Sequence, residues 1–386
     1  MNKKKIVCYW SPFISTVATV KAVINSALSI KLYSQNEYES LILDVFGEWD
    51  SSMNDKNYNL KFYSLNNIKR LFNFSSEGYI KSRIKYLMIF TLSFNSLKKF
   101  ILKKKPDYLI IHLVTSLPLF LNMIYNFDTK IILRISGKPK INKIRYLFWK
   151  IALRKVHKVT FPTFESLEYF KSLKIIDNKK LSLLHDPVFI HKDLIQKKKE
   201  PIDTNFNLKK NDYFLSIGRL TKQKNFLFLI KCFSKLIEVH NDMKLVIIGV
   251  GEEKNKINNY IKNNNLEKNI ILLGYQKNVY KFLKNCKAFI LSSLWEDPGF
   301  VLIEAMATNT LVLSSDCPNG PKEIIENKNG LLFKSNSEND FILKFNKLLE
   351  LSDNEKKKIK INAKKKIKSF SIFYHFKKLQ KIISNN

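Results

Sequence analysis

The chain has 386 residues, 45% of them apolar and 26% charged, which suits a soluble globular protein of two domains better than one core. Its 67 Lys+Arg against 33 Asp+Glu give a net charge of +34. That field attracts nucleic acid, anionic lipid or diphosphates alike, yet the Asn- and Ile-rich composition of an AT-biased genome accounts for it equally well. Cys8, Cys232, Cys286 and Cys317 stand alone without a C-x-x-C pair, which argues against a zinc or disulfide framework and for a reducing cytosol.

In chain order, Lys5–Trp10, Ser40–Phe46, Lys61–Leu65, Tyr108–Val114, Lys130–Ile135 and Lys158–Phe161 are expected strands. Their uncharged, continuous apolar middles fit parallel strands covered on both faces, with crossover helices between them. No uninterrupted apolar run opens the chain, so no secretory leader is expected. Tyr108–Phe127 lacks Asp, Glu, Lys and Arg and is long enough to span a bilayer. Its His112, Pro118 and β-rich start read instead as a buried strand leading into a short helix.

The rhythm breaks at His185-Asp186-Pro187, and the polar, lysine-rich stretch 187–211 is the expected linker. It restarts with strands expected at Tyr213–Ile217, Lys244–Gly249, Asn269–Leu273, Ala288–Ser292, Thr310–Ser314 and Gly330–Phe333. The chain thus divides into an α/β domain at 1–186, the linker, and a second Rossmann-like domain at 212–369. An amphipathic helix at 370–386 closes the sequence and is expected to return to the first domain. Ligands of such sheets sit at strand carboxyl ends, so a cleft between the halves is expected.

Two clusters carry chemistry. In Ser216-Ile217-Gly218-Arg219-Leu220-Thr221-Lys222-Gln223-Lys224 a strand delivers a glycine turn, then an arginine and a lysine. Gly218 allows close backbone approach, Arg219 can grip phosphate oxygens with two bonds, and Lys224 adds a point charge. The alternative is a solvated strand-to-helix loop. In the second cluster, Trp295-Glu296-Asp297-Pro298-Gly299 leads into the almost wholly apolar Phe300-Val301-Leu302-Ile303-Glu304-Ala305-Met306-Ala307. A carboxylate in an apolar helix is costly, so Glu304 needs a hydrogen-bonding partner. Glu296 precedes a helix start whose Gly299, Phe300 and Val301 amides favour anions. A capping acid with a buried ion pair is the structural alternative.

These residues, in G-R-L-x-x-x-K-N and E-x7-E, together with Asn309–Ile325, resemble glycosyltransferase family 4, of the GT-B fold and the bacterial surface-polysaccharide type. The likeness is specific over Tyr213–Phe333 and loose elsewhere. It implies a retaining hexosyltransferase moving a sugar from a nucleotide-sugar, UDP-sugar favoured, to a growing glycan or lipid-linked acceptor. Arg219 and Lys224 would hold the diphosphate and, with Glu296 on the sugar, form the catalytic set. Glu304 would bind the ribose, and Tyr275, in Gly274-Tyr275-Gln276, would lie by the nucleobase. No metal or other cofactor is expected, because two cations can stabilise the leaving diphosphate.

The first domain departs from the family pattern. Ser11–Val17 has no glycine where many members carry a Gly-Gly loop, and Ser136-Gly137 stands where many have His-Gly. Ser15, Thr16, Arg134, Ser136 and His112 are the acceptor-side candidates, with His112 equally readable as a core histidine.

Ile144, Leu147, Phe148 and Ile151 follow helical spacing among Lys143, Arg145, Lys150, Arg154 and Lys155. This is either a helix that rests on anionic lipid or an ordinary one with its apolar face buried. A cytoplasmic protein, peripheral at the inner face of the cytoplasmic membrane, is expected. A GT-B epimerase of nucleotide-sugars is the nearest competing class. A nucleic-acid partner is not expected, since only the net charge speaks for one.

Overall fold

A computed structural model of the chain describes residues 3–13, 18–53, 59–66, 79–139, 141–326 and 328–384. It separates into two compact units, Met1–Val188 with Ile372–Asn386, and Phe189–Ser371.

The first unit holds β1 (Lys5–Trp10), β2 (Tyr38–Asp44), β3 (Lys61–Ser64), β4 (Tyr108–Ile111), β5 (Lys130–Arg134), β6 (Lys158–Phe161) and β7 (Leu181–Leu183). They pair in parallel in the order β3-β2-β1-β4-β5-β6-β7. Side chains alternate across the sheet. Val7 and Tyr9 belong to one buried cluster, Cys8 and Trp10 to the other, as a strand covered on both faces requires. The three-residue β7 was not foreseen. It is short, begins just after Lys179-Lys180, and is recognisable only by its pairing with β6.

The closing helix Ile372–Ser384 belongs to this unit. Phe376, Leu379, Ile382 and Ile383 are buried in one cluster with Val20, Val23, Ala27 and Ile30 of the helix Ala18–Tyr33. Each Val, Leu, Ile or Phe among them contributes about 1.5–3 kcal/mol. The two helices are also tied by Ser26 Oγ to His375 Nε2, 2.8 Å, and Tyr9 OH lies 2.9 Å from the same Ser26 Oγ.

The second unit holds β8 (Tyr213–Ile217), β9 (Lys244–Ile248), β10 (Ile270–Leu272), β11 (Ala288–Leu291), β12 (Leu311–Ser315) and β13 (Leu331–Phe333). Their parallel order is β10-β9-β8-β11-β12-β13. β8, β11 and β12 are buried at every position, in keeping with their unbroken apolar runs.

One expectation needs correction. The stretch 187–211 is no extended linker: it contains the helix His191–Lys197, with Leu194 buried. The apolar Ile190, Leu194 and Ile195 among the lysines give that helix a face to bury. The reading of Tyr108–Phe127 as a buried strand leading into a short helix holds. The segment is β4 followed by the nine-residue helix Ser116–Ile124, and no described helix is long and apolar enough to cross a membrane.

Candidate active site

In each sheet the strand order reverses direction once, and loops leaving the carboxyl ends there open a crevice that a ligand can enter. In the second unit the reversal lies between β8 and β11. Gly218, Arg219 and Lys224 follow β8; Glu296 follows β11; Glu304 lies in the helix Phe300–Ala307 after it. Two stretches some seventy residues apart are therefore neighbours because their strands are.

Polar contacts lock the two loops together. Lys224 Nζ lies 2.5 Å from Glu296 Oε1, and Ser293 donates to the same oxygen at 2.5 Å. Leu294 N donates to Gln223 O at 2.8 Å, Ser292 Oγ to Lys224 O at 2.8 Å, and Gln223 Nε2 to Trp295 O at 2.9 Å. Glu296 is only 4% exposed, so its charge is held by a cation and a hydroxyl, as burial demands.

Arg219 is exposed and takes part in no ion pair among the described residues. Its guanidinium is free to meet an anion from outside. The loop that carries it is fitted closely to the next one. Gly218 N donates to Ile248 O at 3.0 Å and Leu220 N to Val250 O at 2.9 Å. Gly249 has φ +153° and sits so near that a Cβ would fall 1.8 Å from Gly218 O. Only glycine permits that approach.

Glu304 is buried at 6% exposure, and Tyr280 OH donates to its Oε1 at 3.2 Å. Gly299, at φ 100°, starts the helix without a side-chain cap. The Phe300 and Val301 amides of its first turn are those a bound anion would use. Pro318 O accepts from Glu296 N at 3.1 Å, and a Cβ on Gly320 would lie 2.0 Å from Pro298 O. The Asn309–Ile325 run thus backs the Glu296 turn. Gly274 and Tyr275 follow β10 at the far edge of the sheet, with Tyr275 73% exposed.

Sequence reasoning gave no role to Tyr280 or Ser293, whose bonds fix the two acids. Ser293 stands three residues before Glu296 and was within reach of inspection. Tyr280 is visible only in three dimensions. Gly249 and Gly251 after β9 carry a signal in the sequence too, since glycines just beyond a strand mark a close backbone approach.

In the first unit the reversal lies between β1 and β4. Ser11, His112 and Arg134 stand near the carboxyl ends of the adjacent strands β1, β4 and β5. Arg134 is 2% exposed and is ion-paired with Asp186, so its charge is met internally, while its Nη1 has no partner among the described residues. His112 is half-buried, and its Nδ1 has no partner among the described residues. Burial, reinforced by Arg134 and His375, holds its pKa well below the ordinary histidine value. Ser136 is exposed. Ser15 and Thr16 lie outside the described residues.

Residues 197–366 match the family described as glycosyl transferases group 1. An uncharacterized glycosyltransferase of Methanocaldococcus jannaschii is 37% identical over 247 residues, 59% of this chain and 60% of that protein. The N-acetylgalactosamine-N,N'-diacetylbacillosaminyl-diphospho-undecaprenol 4-alpha-N-acetylgalactosaminyltransferase of Campylobacter jejuni is 36% identical over 162 residues, 42% of this chain and 43% of that one. The similarity therefore spans less than two thirds of either relative. The Anabaena HepE structure in complex with UDP and glucose superposes over 100% of both chains with a TM-score of 0.72 at 14% identity. The fold is GT-B: two Rossmann-like domains, each built on a parallel sheet.

Proposed function

We propose that the chain is a retaining glycosyltransferase of family 4 type, which moves a hexosyl group from a UDP-sugar to a glycan or lipid-linked acceptor in surface polysaccharide synthesis. The observation that carries this reading is the meeting of Lys224 and Glu296 beside an uncommitted Arg219 at the β8/β11 crevice. Cations that face a crevice whose acids are already buried and bonded suit a polyanionic ligand bearing hydroxyls.

In this reading Arg219 and Lys224 bind the diphosphate, whose charge grows as the bond from the sugar C1 to the phosphate oxygen breaks. Fixed cations stabilise that charge without reorganising, which gives the site its catalytic effect without a metal. Glu296, held by Lys224 and Ser293, orients hydroxyls of the transferred sugar. Glu304, steadied by Tyr280, takes the ribose hydroxyls, and Tyr275 lies by the base. The acceptor oxygen attacks C1 from the face the diphosphate leaves. Its proton passes to the departing phosphate oxygen, so no side-chain nucleophile is consumed.

The diphospho-undecaprenol in the name of the Campylobacter relative and the UDP and glucose of the Anabaena structure support the choice of acceptor and donor classes. Ser136, His112 and Arg134 belong to the acceptor side in this scheme, and the chain works on the cytoplasmic face of the membrane. A panel of UDP- and GDP-sugars screened by calorimetry tests the reading. Binding of a UDP-sugar that is lost in Glu304→Ala is expected. Binding that persists unchanged in that variant removes Glu304 from the donor site, and no response to any nucleotide-sugar overturns the function.

A further inference from the structure

The helix Lys143–Ala152 is fastened to the first unit by one stripe and offers another to solvent. Trp149 and Ala152 are buried. Ile144, Leu147 and Ile151, spaced three and four residues apart and so on one face, are 81%, 60% and 46% exposed. Phe148, the fourth apolar residue of that spacing, is half-buried against the core, so this face is buried only in part. Lys143, Arg145 and Lys150 flank the stripe, and no Asp or Glu occurs from 129 to 164.

A second helix extends the same surface. In Tyr79–Lys104, which has no acidic residue, Ile84 and Leu87 are 53% and 64% exposed. Arg83 of that helix lines one groove together with Ile144, Arg145 and Phe148. The helix Ser116–Ile124, whose preceding Thr115 borders this groove, is also free of acids. Exposed apolar side chains gathered on one face mark an interaction site rather than ordinary surface.

We propose that these two helices form a docking face that lays the first unit on an anionic lipid bilayer. The charge pattern selects this occupant: cations, with no Asp or Glu in either helix, around apolar side chains that stand out into solvent. A helix lying in the interface inserts such side chains among acyl chains, while lysine and arginine stems reach up to the headgroup phosphates. The face deepens the proposed function by supplying the place where a lipid-linked acceptor is met, and only that part of the inference rests on it.

Co-sedimentation of the full chain with phosphatidylcholine vesicles, with and without phosphatidylglycerol, tests the proposal. The wild type is expected to sediment with the phosphatidylglycerol vesicles and to be released as salt rises. Ile144→Ser, Leu147→Ser and Ile151→Ser combined should weaken binding by roughly tenfold or more. Leu343→Ser, removing a side chain 63% exposed in the second unit, should leave it unchanged. A wild type indifferent to anionic vesicles, or a triple variant that binds equally well, overturns the docking face. The UDP-sugar response, measured on the same samples, separates this from the function. Vesicle binding without that response sinks the transferase reading and leaves the surface standing; the converse sinks the surface alone. Retention of the response in the triple variant also shows that it is folded.

Discussion

Lys224 Nζ stands 2.5 Å from Glu296 Oε1, joining the turn after β8 to the turn after β11 in a contact that is largely shut off from water. In the proposed scheme one cation therefore has two tasks, to neutralise a buried acid and to meet the diphosphate. Removing it in Lys224→Ala strands the Glu296 carboxylate, and breaking such a pair costs about 3–5 kcal/mol. Urea denaturation should show that loss. The double variant Lys224→Met, Glu296→Gln should recover most of the stability while transferring no sugar. Recovery of transfer in the double variant would remove the pair from the mechanism.

Tyr280 donates to Glu304 at 3.2 Å from 24 residues upstream. Tyr280→Phe removes one hydrogen bond to the acid, worth about 1 kcal/mol, and leaves the carboxylate in place. Calorimetry is expected to show UDP-sugar affinity falling several-fold in Tyr280→Phe and vanishing in Glu304→Ala. Equal losses would show that the tyrosine itself touches the ligand.

Gly249→Ala puts a Cβ 1.8 Å from Gly218 O, against backbone that cannot turn aside. The β8 loop must shift and carry Arg219 with it, at a cost of about 1–3 kcal/mol and a marked loss of donor affinity. Gly274→Ala is the control. Its φ of +66° makes alanine strained, but no atom lies within 4 Å of the added carbon. Thermal denaturation should rank Gly249→Ala well below Gly274→Ala.

His375 is buried and bonded to Ser26 and to His185 O, and burial lowers its pKa from 6.5 to about 4. The unfolded chain therefore binds the proton more readily than the folded one between these values. The stabilising effect of the neutral ring is complete above about pH 6.5 and fades as pH falls through the window towards 4. The total loss over the window amounts to about 3 kcal/mol at most. Melting temperature should drop over that range, and His375→Gln should flatten the drop.

The two-sheet plan was legible because parallel strands buried on both faces write themselves as unbroken apolar runs. Lys5–Trp10, Lys158–Phe161 and Tyr213–Ile217 begin and end where the sequence suggests. The carboxyl end of β4 falls three residues short of the expected Val114, since apolarity continues into the turn at Leu113-Val114. The donor-side residues were readable from motif spacing, but their mutual bonds were not. Nothing in the sequence tells that Lys224 meets Glu296 until β8 and β11 are known to be neighbours. The Arg134–Asp186 pair escaped for the same reason, and its discovery changes Arg134 from a free cation to one already committed.

The helix Ile372–Ser384 has a consequence for synthesis. It fills the apolar face of Ala18–Tyr33, yet it leaves the ribosome only after the whole second unit has been made. The first unit is made before it and waits, with Val20, Val23, Ala27 and Ile30 uncovered, until Ile372–Ser384 arrives. The second unit has its full sequence by then and can fold ahead of the one that precedes it, reversing the N-terminal-first order usual in growing chains. Nascent first units are thus the species on which chaperones should be found, and a premature stop late in the message injures the beginning of the protein.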